Sequence, residues 1–312
     1  MIGTDVQRAA AALRAGGLVA LPTETVYGLA ADATNPSAIA RIFAIKGRPT
    51  NHPLIVHLAD VEDLDAWAER VPAWARLLAA AYWPGPLTLI LPKRPHVLDD
   101  VTGGQDTVGL RVPAHALTRE VLRVFGTGVA APSANRFGRV SPTTIEHVRA
   151  DIGELLDDRD YLLDGGPCQV GVESTIVDCT GDAPRLLRAG AITVEMIAET
   201  TGLDVLGADG RVRASGTLAS HYAPAAVVHI VRADELDGFP GAGLIAAASV
   251  PTPSGMTRLL DAEDAGAYAR GLYAALRAAD EAGLTDVCAV MPDDTGLGAA
   301  VRDRLARAAH RS

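Results

Sequence analysis

A chain of 312 residues, 48% hydrophobic and 21% charged, has apolar material for a large core and room for one big α/β domain or two domains. A formal net charge of −10 and 4% aromatic residues weigh against sequence-independent binding of nucleic acid and against a base-stacking surface, while leaving room for a local basic cleft. Cys168, Cys179 and Cys288 lie far apart with no CxxC pair, a spacing that supports neither a disulfide framework nor a zinc site.

The N-terminal segment places Asp5, Arg8 and Arg14 within an alanine run, so it reads as a helix closed by Gly16-Gly17 and not as a signal peptide. No apolar run has the length of a membrane span, and a cytoplasmic location is the expectation. Residues 18–21 form a short strand ended by Pro22, and a threonine-rich loop follows. The spacing of PSAIARIFAI predicts a helix over 36–45 that leads into Lys46. Residues 53–58 read as an apolar strand and 64–82 as a helix; Pro84-Gly85-Pro86 forces a turn before a strand over 87–91. Strands over 108–112 and 128–131 each run into a proline. In SPTTIEHVRADIG, Ser141 is placed to cap a helix whose first turn tolerates Pro142.

Strands over 161–163, 174–179 and 185–188 complete an interleaved pattern, an α/β domain with a twisted mixed sheet over 1–201. Residues 202–224 are rich in glycine, polar and turn residues and read as a linker. A smaller α/β, Rossmann-like domain follows over 225–312, with strands at 227–231, 244–248 and 287–291, a helix at 265–282 and a closing helix in TGLGAAVRDRLARAA. The sequence Thr295-Gly296-Leu297-Gly298 lacks the third glycine of a dinucleotide fingerprint; a plain turn and helix start is favoured over a phosphate cradle.

Polar clusters gather where the strands of the first domain end, the place where α/β domains bind ligands. They are Thr23-Glu24-Thr25, Lys46-Gly47-Arg48, Ser133-Ala134-Asn135, Ser174-Thr175 and Arg188. Each has a bland reading: a helix-terminal basic pair for Lys46 and Arg48, turn satisfaction for Ser133 and Asn135, a half-buried strand histidine for His57, an exposed strand end for Arg188. Arg111 lies inside an apolar strand, where it needs either an anionic ligand or a structural salt bridge, and the two readings stand level. Glu173 and Asp164 invite the thought of paired acid/base carboxylates, but their spacing does not require it. There is no GxSxG, HExxH or GxxxxGK[ST] signature.

The blocks LPTETVYGLAAD, KGRPTNHPLIVH, WPGPLTLIL, GLRVPAH, APSANRFGRVSPT and GVESTIVD occur in the order found in the YrdC/Sua5 family, which the first domain resembles over nearly its whole length. HYAP at residues 221–224, followed by a second α/β domain, resembles the longer, Sua5-type branch. The resemblance implies a YrdC-like fold and synthesis of threonylcarbamoyl-AMP from L-threonine, bicarbonate or CO2, and ATP. That adenylate is the activated intermediate for N6-threonylcarbamoyladenosine at position 37 of tRNA. It also implies Mg²⁺ carried by the nucleotide, with no metal ligand assigned among the protein side chains, and a tRNA threonylcarbamoyl transferase complex as downstream partner.

By the same resemblance, Lys46 and Arg48 serve catalysis and ATP, joined at the nucleotide by His52, Ser133, Asn135, Ser141, Arg188 and Tyr222. Thr23, Thr25, His57, Arg111, Ala131 and Ser174 hold threonine, with Arg111 on its carboxylate. The linker ASGTLASHYAP departs from the SPGMxYxHYAP common in this branch: Ser215, Thr217 and Ala219 replace proline, methionine and tyrosine. In the family this linker approaches the active site, which makes a lid an expectation. An RNA-binding module is a rival reading that the net charge disfavours. A divergent carbamoyl-transfer paralogue is a second, against which stand the retained Lys46, Arg48, Ser133, Asn135 and Arg111 and the lack of Cys-rich zinc fingers.

Overall fold

The computed structural model describes residues 1–216 and 222–310. Among the described residues, ten strands of the first domain form one sheet: β1 Ile2–Gly3, β2 Val19–Leu21, β3 Gly28–Asp32, β4 Ile55–His57, β5 Leu87–Pro92, β6 Thr107–Arg111, β7 Val129–Ala130, β8 Tyr161–Leu163, β9 Thr175–Asp178 and β10 Arg185–Arg188. Their spatial order is β1-β8-β2-β3-β7-β4-β6-β5-β9-β10. The sheet is mixed, as expected: β4 with β6 and β5 with β9 are parallel, whereas β2 with β3, β4 with β7 and β9 with β10 are antiparallel.

The second domain has four parallel strands, β11 Val227–Ile230, β12 Gly243–Ala247, β13 Thr257–Ala262 and β14 Asp286–Ala289, in the order β11-β14-β12-β13. Parallel neighbours need crossovers: the helix Ala265–Glu281 carries the one from β13 to β14, and the helix Leu297–Ala309, which follows the last strand, packs against β11 and that helix.

Several sequence expectations change. The apolar run over 64–82 is two helices, Leu64–Trp67 and Ala73–Tyr82, because Ala68 turns extended and Pro72 disfavours helix in the residue before it. The helix of the SPTT segment starts later, at Ile145, and its cap is Thr144, whose hydroxyl accepts from the His147 amide; Ser141 is used elsewhere. The residues after Pro22 are a loop as expected, but the chain then returns as β3, a short alanine-rich strand with no β-branched signal. Strands β1 and β13 and the helix Ala116–Phe125 were likewise not legible.

The linker composition of 202–224 hides an ordered path. Leu206 bridges to Arg185, and Ala214 is buried with Ile90 and Ile176. Gln105 grips Arg213 through both of its amide atoms, accepting from the backbone N–H at 2.7 Å and donating to the carbonyl at 3.1 Å. Thr217, Ala219 and His221 lie outside the described residues.

Candidate active site

The site grows from strand register. β4 and β6 are parallel and set His57 directly beside Arg111 at their C-terminal ends, so the two side chains share a face of the sheet. Both are buried. Burial, reinforced by the neighbouring Arg111, pushes His57 down to a pKa of about 3, so it is neutral at physiological pH. Nη2 of Arg111 lies 2.6 Å from Oε1 of Glu24, an ion-pair distance reached without hydrogen-bond alignment, and Nε donates to the Gly85 carbonyl at 3.2 Å. Glu24 stands behind Arg111, not on the cavity wall, and its other oxygen accepts from the Ala114 amide.

The loop between β2 and β3 is stiffened by Thr23, whose Oγ1 accepts from the amides of Thr25 and Val26 at 3.2 and 3.1 Å and donates to the Val26 carbonyl. At the end of the helix Pro36–Lys46, Gly47 adopts φ 63°, a left-handed cap that separates the two cations of KGR. Arg48 enters the cavity. Lys46 turns inward, 2% exposed, and donates to the carbonyls of Ser133, at 2.6 Å, and Asn135. Burial, with Arg48 nearby, holds its pKa well below the usual lysine range.

One cavity unites most of the expected residues. Thr23, Thr25, His57, Arg111, Ala131 and Ser174 line it together with Arg48, Ser133, Arg188 and Tyr222. Four expected nucleotide residues do not reach its wall. Lys46 braces the Ser133–Asn135 loop from beneath. Asn135 turns its amide to the Arg136 and Arg139 carbonyls, each at 2.8 Å. Ser141 donates to Glu173, and His52 packs edge-on against Phe137. The reason is geometric: each directs its hydrogen-bond donors or its ring to a loop that carries a lining residue.

On the opposite side, Arg188 at the end of β10 donates to the Ser174 carbonyl at 3.0 Å, the Ser174 hydroxyl at 3.1 Å and the Ser215 carbonyl at 2.8 Å. Its expected exposed strand end is therefore a buried one. Arg48 donates to the Ser215 hydroxyl at 3.1 Å and the Pro53 carbonyl at 3.0 Å, while its Nε has no hydrogen-bond partner among the described residues. Burial first, and then Arg188, lower Arg48 to about 10, which leaves it charged at neutral pH.

Sequence reasoning missed Ser215 and Gly216, whose signal was masked by linker composition, and left Glu173 without a role. Glu173 is on the wall. Burial alone would raise its pKa, but Arg304, Arg188 and the Ser141 hydroxyl outweigh this and hold it at about 2. Asp164 is not its partner; it accepts from the Gly166 amide in a local turn. Among the described residues no cluster of three or more His, Cys, Asp or Glu forms a metal cage, no helix is long and apolar enough to cross a membrane, and the cysteines are free and buried.

Residues 11–190 match the Sua5/YciO/YrdC family model, described as telomere recombination, and residues 192–310 match the model described as threonylcarbamoyl-AMP synthase, C-terminal domain. A threonylcarbamoyl-AMP synthase of Pyrococcus abyssi is 38% identical, covering 97% of this chain and 93% of its own length. One from Bacillus subtilis is 39% identical, covering 98% and 93%. The crystal structure of P. abyssi Sua5 complexed with L-threonine superposes with a TM-score of 0.88 at 38% identity, covering 97% of this chain and 94% of that one.

Proposed function

The chain belongs to the Sua5/YciO/YrdC family and carries the second domain of its Sua5-type members, and from that premise we propose that it is a threonylcarbamoyl-AMP synthase. The substrates are L-threonine, bicarbonate or CO2, and Mg–ATP; the products are threonylcarbamoyl-AMP and pyrophosphate. The observation that carries this reading is a single cavity lined by Thr23, Thr25, His57, Arg111 and Ser174 together with two further arginines, Arg48 and Arg188. The small polar groups with Arg111 suit an amino acid, and Arg48 with Arg188 suits a polyphosphate.

In this reading Arg111 takes the threonine carboxylate, and neutral His57 lies alongside without adding a competing charge. The threonine amine captures CO2 as a carbamate and loses a proton. A carbamate oxygen then attacks the α-phosphorus, the bond to the β-phosphate bridge breaks, and pyrophosphate leaves. Arg48 and Arg188 face the charge that develops on the leaving group. No enzyme nucleophile is required; the rate comes from holding a short-lived carbamate against the α-phosphate. Lys46 acts one step removed, by fixing the loop that presents Ser133.

Mg²⁺ would come with the nucleotide and would supply charge neutralisation on the leaving pyrophosphate. Glu173, the carboxylate on the wall, has both oxygens engaged by Ser141, Tyr273 and Arg304. Ser215 sits between the two arginines assigned to phosphates, so admission of ATP displaces it and the linker behaves as a lid. The adenylate formed is used in the cytoplasm by the tRNA threonylcarbamoyl transferase complex.

The test is pyrophosphate release by the purified chain with Mg–ATP, omitting threonine and bicarbonate one at a time and replacing threonine with serine. Release that requires both co-substrates and prefers threonine is expected. Release without threonine would show a different acceptor or simple hydrolysis, and ATP binding with no release would leave a binding protein.

A further inference from the structure

Arg304 is 0% exposed in the alanine-rich helix Leu297–Ala309 of the second domain. A guanidinium so deeply buried is costly unless its donors are matched and its charge is met. Here they are. Nε donates to Oε2 of Glu173 at 2.9 Å, Nη1 to Asp303 at 2.6 Å and Nη2 to the Ala189 carbonyl at 3.0 Å, and the guanidinium lies 5.4 Å from the centre of the Tyr222 ring. Glu173 and Ala189 belong to the first domain. Tyr273, also in the second domain, donates to the same Glu173 oxygen at 2.8 Å. Two side chains of one domain thus hold a carboxylate on the cavity wall of the other.

Glu173 precedes Ser174 in the chain, and Ser174 is the residue on which Arg188 rests through its carbonyl and hydroxyl. Arg188 makes no ion pair with a carboxylate among the described residues; its donors go to Ser174 and Ser215. Glu173, the carboxylate that shares the cavity wall with Arg188, is tied instead to Arg304, Tyr273 and Ser141. Without Arg304, an uncompensated buried carboxylate would find Arg188 as its next cation, in the place a phosphate needs.

We propose that Arg304 is a positioning residue for the nucleotide side of the site: it binds Glu173 to the second domain, keeps that carboxylate off Arg188, and so leaves Arg188 available to a phosphate. This rests on the assignment of the cavity to ATP made above. It gives the second domain a specific part in the chemistry, one charge neutralised across the domain boundary.

The experiment uses the full chain and measures ATP binding by calorimetry, with the KM for ATP and for threonine taken from pyrophosphate release. Arg304→Gln is expected to weaken ATP by at least about tenfold, with the threonine KM moving by less than about threefold. Arg304→Lys, which keeps the charge, falls between the parent and Arg304→Gln. The double variant Glu173→Gln/Arg304→Gln recovers most of the lost ATP binding, since the competing charge has gone. A double variant as weak as Arg304→Gln, or equal losses for both substrates, overturns the proposal, because a merely structural role moves ATP and threonine together. If Arg304→Gln does not fold, Arg304→Lys and the double variant decide: ATP binding near the parental level in the double supports the proposal, and its failure to fold or to bind overturns it. A parent that binds no ATP contradicts the functional reading before any variant is compared.

Discussion

Arg111 stood in the sequence with two readings, a structural salt bridge or an anion site; the structure shows the salt bridge and keeps the guanidinium on the cavity wall, where the proposed function uses it. Its guanidinium spends Nη2 on Glu24 behind it and Nε on the Gly85 carbonyl, yet still lines the cavity. A fork held from the back is oriented before a carboxylate arrives, so little side-chain entropy is lost on binding. Arg111→Ala is therefore expected to raise the threonine KM by about a hundredfold, the worth of a buried charge-assisted pair, and to leave ATP binding within about threefold. Calorimetric titration with ATP beside the pyrophosphate assay reads both numbers, and parallel losses would remove Arg111 from the carboxylate. Lys46 and Arg48 make the complementary point. Their types and spacing were visible, but which one meets solvent or ligand depends on the left-handed turn at Gly47, with φ 63°. A one-residue spacing does not carry that information.

At the scale of elements, periodicity was legible where the pattern was long and faltered where it was short or borrowed. The helix Ala265–Glu281 and the strand Arg185–Arg188 follow from their sequences, whereas β3 is held as a strand by pairing with β2 and β7 and not by propensity. The SPTT segment separates a local signal from a tertiary demand. Both Ser141 and Thr144 suit a cap; Thr144 takes the His147 amide, and Ser141 turns to Glu173 at 2.6 Å. Thr144→Ala is expected to cost about 1 kcal/mol of stability with pyrophosphate release unchanged. Ser141→Ala is expected to lower release, because it strips a donor from a buried carboxylate on the cavity wall. Denaturant unfolding alongside the activity assay separates the two. A Thr144→Ala variant with impaired release, or a Ser141→Ala variant without it, would reverse the roles.

At the scale of the whole molecule, the division at 202–224 was read from composition, but the way the parts meet was not, because the meeting pairs lie far apart in the chain, Glu173 and Tyr273 by 100 residues and Asp151 and Arg277 by 126. In DRLARAA, Arg304 looks like any solvent-facing helix arginine. The structure instead joins Val26, Val140 and Val172 of the first domain to Tyr268, Leu272, Tyr273 and Leu276 of the second in one apolar cluster. Gly171, at φ 81°, lets the loop approach that helix so closely that a Cβ there would lie 2.4 Å from the Arg270 Cα. Arg277 closes the boundary with a two-pronged pair to Asp151, at 3.0 and 2.6 Å, and a further bond to the Val140 carbonyl.

A shared core of this kind couples the domains energetically, whereas a wet, polar boundary would let them unfold apart. The full chain is thus expected to unfold in a single calorimetric transition with agreeing calorimetric and van't Hoff enthalpies. Arg277→Ala leaves Asp151, 18% exposed, without its cation while sparing both sheets. The loss, on the order of 1–3 kcal/mol for a broken, partly buried pair, falls on the boundary alone, so the trace is expected to broaden or divide into two. A parent that already unfolds in two steps would contradict the coupling, and an Arg277→Ala trace superposable on the parent would show that the pair contributes nothing to it. Because the same boundary carries Glu173 to Arg304, a division of the transition is expected to be accompanied by weaker ATP binding, and calorimetry on one sample reads both.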